Sequence, residues 1–271
     1  VDSVLLGWLA VACYVAAEAV SARALWRRQE TVAPSAPLWA TAGVALQFAQ
    51  LWVHGRAIGA APYRTLAGSM SLFAWMLGIS YLILFVRHRE RAVGPFLIPF
   101  VILFSVLGLI VPESPPSGAE ESGTRGTIFA LHVNLAMLAY AAFTLSFVIS
   151  VLYLVQVRQI RRARSGRLFS RLPDLEQIGR MNRTSVTVGL LVMAVSVVLG
   201  LAWARQVWQH LGDAKVVWAL LTILTYSFLL WMDRRGWEGR RVALLSIAGF
   251  CVVLFSYTIV NLYFSGAHQF Q

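Results

Sequence analysis

Residues 127–157 read TIFALHVNLAMLAYAAFTLSFVISVLYLVQV, and no Asp, Glu, Lys or Arg interrupts the run. A helix needs about 20 mainly apolar residues to cross a hydrocarbon core of roughly 30 Å, so this stretch reads as a membrane-spanning helix. Seven more runs approach the same length and apolarity. The eight expected spans lie at about 4–26, 37–53, 66–86, 95–111, 127–157, 184–208, 214–231 and 242–264. The expected fold is an all-α polytopic membrane helix bundle, a single integral membrane domain over residues 1–271. A content of 58% hydrophobic and 13% charged residues excludes an ordinary soluble domain. Asp2 is the only charge before the first span, so that span lacks the basic leader of a cleaved signal peptide and is expected to be retained.

The formal net charge of +11 does not point to nucleic acid, because the basic residues fall in short clusters between apolar runs and form no continuous basic face. Cys13 and Cys251 each lie inside an apolar run, which excludes a disulfide framework and a Cys-x-x-Cys motif. No internal repeat and no pair of Gly/Pro-broken mid-membrane helices supports a small-solute transporter.

Basic residues near span ends are retained in the cytoplasm, so alternate loops fix an orientation. One side carries eighteen: Arg23, Arg27 and Arg28, then Arg87, Arg89 and Arg91, eight Arg from Arg158 to Arg183, and Arg234, Arg235, Arg240 and Arg241. The other side carries five, Arg56, Arg64, Arg125, Arg205 and Lys215. With eight spans, both termini are expected to be extracytoplasmic, in a bacterial inner membrane. The long inner loop at 158–183 runs from a basic stretch into Leu172-Pro173-Asp174-Leu175-Glu176. Acidic residues after Pro173 suit the first turn of a helix, and a short interfacial helix is expected there. The loop suits either anionic lipid or a docked cytoplasmic protein.

This topology sorts the five histidines. His54, His132, His210 and His268 fall on the outer side and His88 on the inner. Neutral imidazole is a preferred axial ligand of haem iron, and two imidazoles from separate helices can hold a haem between them. Trp203, Trp208 and Trp218 bracket the loop that carries His210, where they can wall a porphyrin or form an ordinary aromatic belt. His132, Leu135, Ala136, Ala139 and Phe143 share one helical stripe that can face a cofactor or another helix. Glu18 is an acidic residue inside the first span and a functional candidate by its cost alone.

From about residue 125 onward the chain resembles the haem-handling membrane proteins of cytochrome c assembly, the CcsA/ResC group with CcmC as a more distant relative. The resemblance rests on Leu131-His132-Val133 with Ala139-Tyr140-Ala141, Leu172-Pro173-Asp174-Leu175-Glu176, Trp203-Ala204 with Trp208, and Trp218-Ala219-Leu220-Leu221-Thr222. It continues through Gly236-Trp237-Glu238-Gly239-Arg240, Gly249-Phe250 and Val260-Asn261-Leu262-Tyr263-Phe264-Ser265-Gly266-Ala267-His268. It implies a non-covalent, b-type haem with His132 and His268 as axial ligands. Trp203, Trp208, His210, Asp213 and Trp218 would surround it. It also implies delivery to an apocytochrome c together with a CcsB/ResB-like membrane protein, as one component of a haem-lyase complex and not an enzyme on its own.

Two departures separate the chain from that pattern. Asp213 and Lys215 keep their register to Trp218, but the Trp pair that precedes them in the family is absent and His210 stands nearby. Two further membrane-core histidines of the family are also missing: Trp231 stands at one place, and Ile58–Pro62 contains no His unless His54 substitutes. Such erosion resembles the HemX-like branch. That resemblance implies a membrane scaffold or regulator of haem biosynthesis acting on glutamyl-tRNA reductase.

Overall fold

In hydrocarbon every backbone N–H and C=O must find its partner within the chain, and the helix supplies those bonds locally. A computed structural model describes residues 2–27, 35–88, 92–113, 123–162, 172–207 and 214–263, and their regular structure is entirely helical. The helices are α1 (Ser3–Arg27), α2 (Ser35–Ile58), α3 (Leu66–His88), α4 (Gly94–Ile110), α5 (Gly123–Arg161), α6 (Leu175–Val207), α7 (Ala214–Arg234) and α8 (Gly239–Tyr263). Each lies over one expected span. Among the described residues, Ser3–Leu25, Leu66–His88, Gly123–Arg161 and Leu175–Arg205 are long and apolar enough to cross a membrane, and Gly94–Ile110 is a shorter apolar helix.

Local chemistry sets several boundaries. Thr65 starts α3 by accepting the Gly68 N–H on its hydroxyl at 3.0 Å, after a single 3-10 turn at Pro62–Arg64. Pro95 sits in the first turn of α4, where its missing N–H costs nothing. Asp174 opens α6 by accepting the Gln177 N–H at 2.6 Å. The expected short interfacial helix after Pro173 is corrected here: it is the first part of α6, which runs unbroken from Leu175. Gly179 is the weakest helix former between that cap and the apolar run, and a lone mid-helix Gly costs only about 1 kcal/mol, too little to break the helix.

The described residues group into two units. In the first, α1 packs on α2 and α4, and α3 packs on α2 and α4. Its core is partly polar. The Tyr14 hydroxyl donates to Gln47 Oε1 at 2.8 Å, and Gln47 Nε2 donates to the Ser71 carbonyl and to Ser105 Oγ, both at 3.0 Å. Gly43 lets the Tyr14 ring lie against α2, since an added Cβ would sit 2.6 Å from Tyr14 Cε1. One carboxyl oxygen of Glu18 is buried without a hydrogen-bond partner among the described residues.

The second unit gathers α5 to Val157, α6 from Ile178, α7 and α8. Ala139, Phe143, Val186, Met193, Tyr226, Leu229, Val242 and Phe250 form its core. Phe143 stacks face to face on Tyr226 with ring centroids 3.8 Å apart. The Ala139–Phe143 part of the stripe beginning at His132 is therefore a packing surface. Toward the α5 C-terminus the core turns polar: Ser146 donates to Asn182 Oδ1 at 2.7 Å and lies 2.5 Å from Ser246 Oγ. Beyond it, a small cavity of about 30 Å³ is lined by Ser150, Tyr153, Asn182 and the Arg183–Asp233 ion pair, among others. That volume holds a water or two.

Candidate functional site

His132 lies in the third turn of α5 and meets Ser196 of α6. The Ser196 carbonyl oxygen is 2.7 Å from His132 Nδ1. A carbonyl can only accept, so Nδ1 donates and Nε2 is the ring nitrogen left for another partner. Ser196 Oγ donates to the His132 carbonyl at 2.9 Å and lies 3.1 Å from Nδ1, joining the two helices at a second point. Ser196 is fully buried.

Gly200, one turn further along α6, makes room for the ring. A Cβ there would lie 2.7 Å from both Cε1 and Nδ1 of His132, closer than such contacts allow. Phe129, one turn before His132, places its ring 6.5 Å from the imidazole and 4.8 Å from the Trp203 ring, centroid to centroid. The result is an imidazole with one nitrogen anchored, one nitrogen chemically available, and an aromatic wall beside it. An imidazole held through its second nitrogen is how proteins orient a metal-ligating His.

The expected site residues divide cleanly. His132 and Trp203 come together, through Phe129. Trp218 lies half-buried in α7, where its carbonyl accepts the Thr222 hydroxyl at 2.9 Å. His268, His210, Trp208 and Asp213 lie outside the described residues. Ser196, Gly200 and Phe129 were not anticipated. Ser196, Gly200 and Trp203 share one face of α6 at i, i+4 and i+7, and this spacing was the available sign.

His54 has a different environment. It is buried near the end of α2, and its Nε2 lies 3.0 Å from Glu113 Oε1, beyond the end of α4. The approach lacks hydrogen-bond alignment. One of the two ring nitrogens of His54 thus faces a carboxylate.

Helices of span length, with an anchored imidazole near one end of α5, define a helical membrane protein. The family described as Cytochrome C assembly protein matches residues 63–268, and the chain belongs to that family. It is 28% identical over 218 residues to Protein HemX of Bacillus subtilis (strain 168), covering 78% of this chain and 76% of the relative. To Protein HemX of Brevibacillus brevis it is 33% identical over 178 residues, with 64% of each chain covered. To the cytochrome c biogenesis protein CcsA of Prochlorococcus marinus (strain MIT 9301) it is 28% identical over 233 residues, covering 77% of this chain and 75% of the relative.

Proposed function

We propose that this chain is a haem-handling protein of the cytochrome c biogenesis type, which holds a non-covalent b-type haem at the outer face of a bacterial inner membrane. The observation that carries the reading is the 2.7 Å bond from His132 Nδ1 to the Ser196 carbonyl, which leaves Nε2 as a ligand for iron. Gly200 gives the ring space, and Phe129 and Trp203 supply an apolar wall of the kind that covers a porphyrin face. The residues present thus fit the group. His268 would supply the second imidazole, with Trp208, His210, Asp213 and Trp218 around the haem edge. When bound, haem would supply the redox-active iron and the vinyl carbons to which the thiols of an apocytochrome c would add. The protein's own part is to orient the ring, exclude water and present one edge outward, alongside a CcsB/ResB-like partner.

The reading places eight helices across the membrane with both termini outside, following the eighteen-to-five basic asymmetry. The test is the visible spectrum of the detergent-purified protein from haem-replete cells, with His132→Ala and His268→Ala singly and together. Single changes should convert two-nitrogen ligation to one-nitrogen ligation with partial haem loss, and the double change should nearly abolish binding. A folded double variant with the parent's haem content and spectrum would sink the assignment.

A second reading draws on the relatives named HemX and on the altered Trp loop: a membrane scaffold that regulates haem biosynthesis, docking glutamyl-tRNA reductase on its basic inner loop. A parent chain that never binds haem, but co-purifies with that enzyme, would favour it over the first.

A further inference from the structure

The turn between α7 and α8 is short and closed by backbone hydrogen bonds. Gly236, at φ +74°, ends α7 in the left-handed conformation. The Trp237 N–H donates to the Met232 carbonyl at 3.2 Å, and the Gly236 N–H donates to the Asp233 carbonyl at 3.1 Å. This pair of bonds is the Schellman closure, which satisfies the last carbonyls of a helix and fixes the chain's exit. Glu238 then opens α8, its carbonyl accepting the Arg241 N–H at 2.8 Å.

On this frame Arg234, Arg235, Arg240 and Arg241 are all exposed. Two of them are paired with indoles: the Arg235 guanidinium lies 5.1 Å from the Trp231 ring centroid, and that of Arg241 lies 5.4 Å from Trp237. Both indoles are exposed, Trp231 by 49% and Trp237 by 42%. Of the acidic groups, Asp233 is held by Arg183 and Glu238 stands at the start of α8, so cations outnumber anions on the turn. A purely solvated basic loop has no use for two exposed indoles. An indole under a guanidinium suits the level where lipid headgroups meet acyl chains, because the ring is amphipathic and the cation sits at phosphate height. The apolar surface continues along both helices, through exposed Phe228 and Leu224 of α7 and Leu244 of α8.

We propose that the α7–α8 turn is a binding surface for anionic phospholipid headgroups, with Arg235 and Arg241 as its stacked contacts and Arg234 and Arg240 as its outer charges. The surface rests on the membrane placement of α7 and α8 but not on haem binding. Trp52 and Arg56 on α2 provide an internal contrast: the guanidinium lies 5.2 Å from the ring centroid, but Arg56 is the sole basic residue of that helix's last turn. It should not select for lipid charge.

The test is native mass spectrometry of the full chain in detergent with equal phosphatidylglycerol and phosphatidylcholine. The parent should retain phosphatidylglycerol preferentially, and R235Q/R241Q should reduce the preference at least tenfold, at about fivefold for each arginine near the surface. R56Q should leave it unchanged. If R235Q/R241Q fails to fold by circular dichroism, R234Q/R240Q carries the same expectation. Equal retention of the two lipids by the parent, or an undiminished preference in a folded double variant, overturns the proposal. Displacement of the lipid by excess inorganic phosphate also overturns it, by showing a free-phosphate site. The haem spectrum of these variants should match the parent's, so failure here is distinguishable from failure of the haem reading.

Discussion

Ser196 gives His132 its backbone carbonyl as well as its hydroxyl, so the anchoring of the imidazole does not depend on the serine side chain alone. The carbonyl selects the tautomer, while the hydroxyl ties α6 to the α5 backbone.

Ser196→Ala separates these roles. The Nδ1 bond to the carbonyl survives and the hydroxyl's bond to the His132 carbonyl is lost. Thermal stability should fall by about 1 kcal/mol while haem content and spectrum stay close to the parent's. Haem loss as large as that of His132→Ala would show that the hydroxyl, not the carbonyl, holds the ring. Melting curves and absorbance spectra on one preparation check both halves.

Gly200→Ala should act in the opposite way. The added methyl would press on Cε1 and Nδ1 of His132, turning the ring off its carbonyl anchor. Disturbing such an anchor typically lowers metal affinity by about 10- to 100-fold. Haem titration followed by absorbance measures it. Gly179→Ala, on the same helix with nothing within 4 Å of the new methyl, is the matched control and should be neutral or slightly stabilising.

The fold was legible because a membrane helix leaves its length in the sequence: the apolar run at 127–157 needed only about 20 residues of span to be recognised, and it lies inside α5. The start of α6 was harder. Pro173 and Asp174 announced a helix, but nothing local told where it would stop, because the polar segment 175–183 carries the same propensity whether it lies along a surface or joins the next span. At the site, His132 stood out as a side chain with chemistry. Its anchor did not, since Ser196 acts through a backbone carbonyl from 64 residues away, and every residue has a carbonyl. Gly200 was silent for a related reason, because its contribution is space.

Tyr14→Phe should destabilise the first unit. Gln47 Oε1 would lose its donor at a site where both side chains are buried. An orphaned buried acceptor costs about 1–3 kcal/mol, so the midpoint of thermal unfolding in detergent should drop while the haem ligation proposed for His132 is unaffected. An unchanged midpoint would mean that another donor reaches Gln47.

Ser165→Cys in intact cells should resist a membrane-impermeant maleimide and react only after permeabilisation, because the proposed topology puts the basic loop at 158–183 in the cytoplasm. Labelling from outside would invert the orientation and move His132 to the other face.

The Gln47 network also bears on the order in which the protein is made. α2 leaves the ribosome carrying an amide whose partners include Ser71 on α3 and Ser105 on α4, the latter 58 residues downstream. At about 5–20 residues per second, Ser105 follows Gln47 by roughly 3–12 s. Tyr14 of α1 and Ser71 of α3 meet the amide earlier, and the bond to Ser105 comes last, so the final seating of α2 is coupled to the arrival of α4. With the eight-span topology proposed above, the first four helices should therefore settle in the bilayer as a cohort, α2 completing its contacts only when its later-made neighbours arrive.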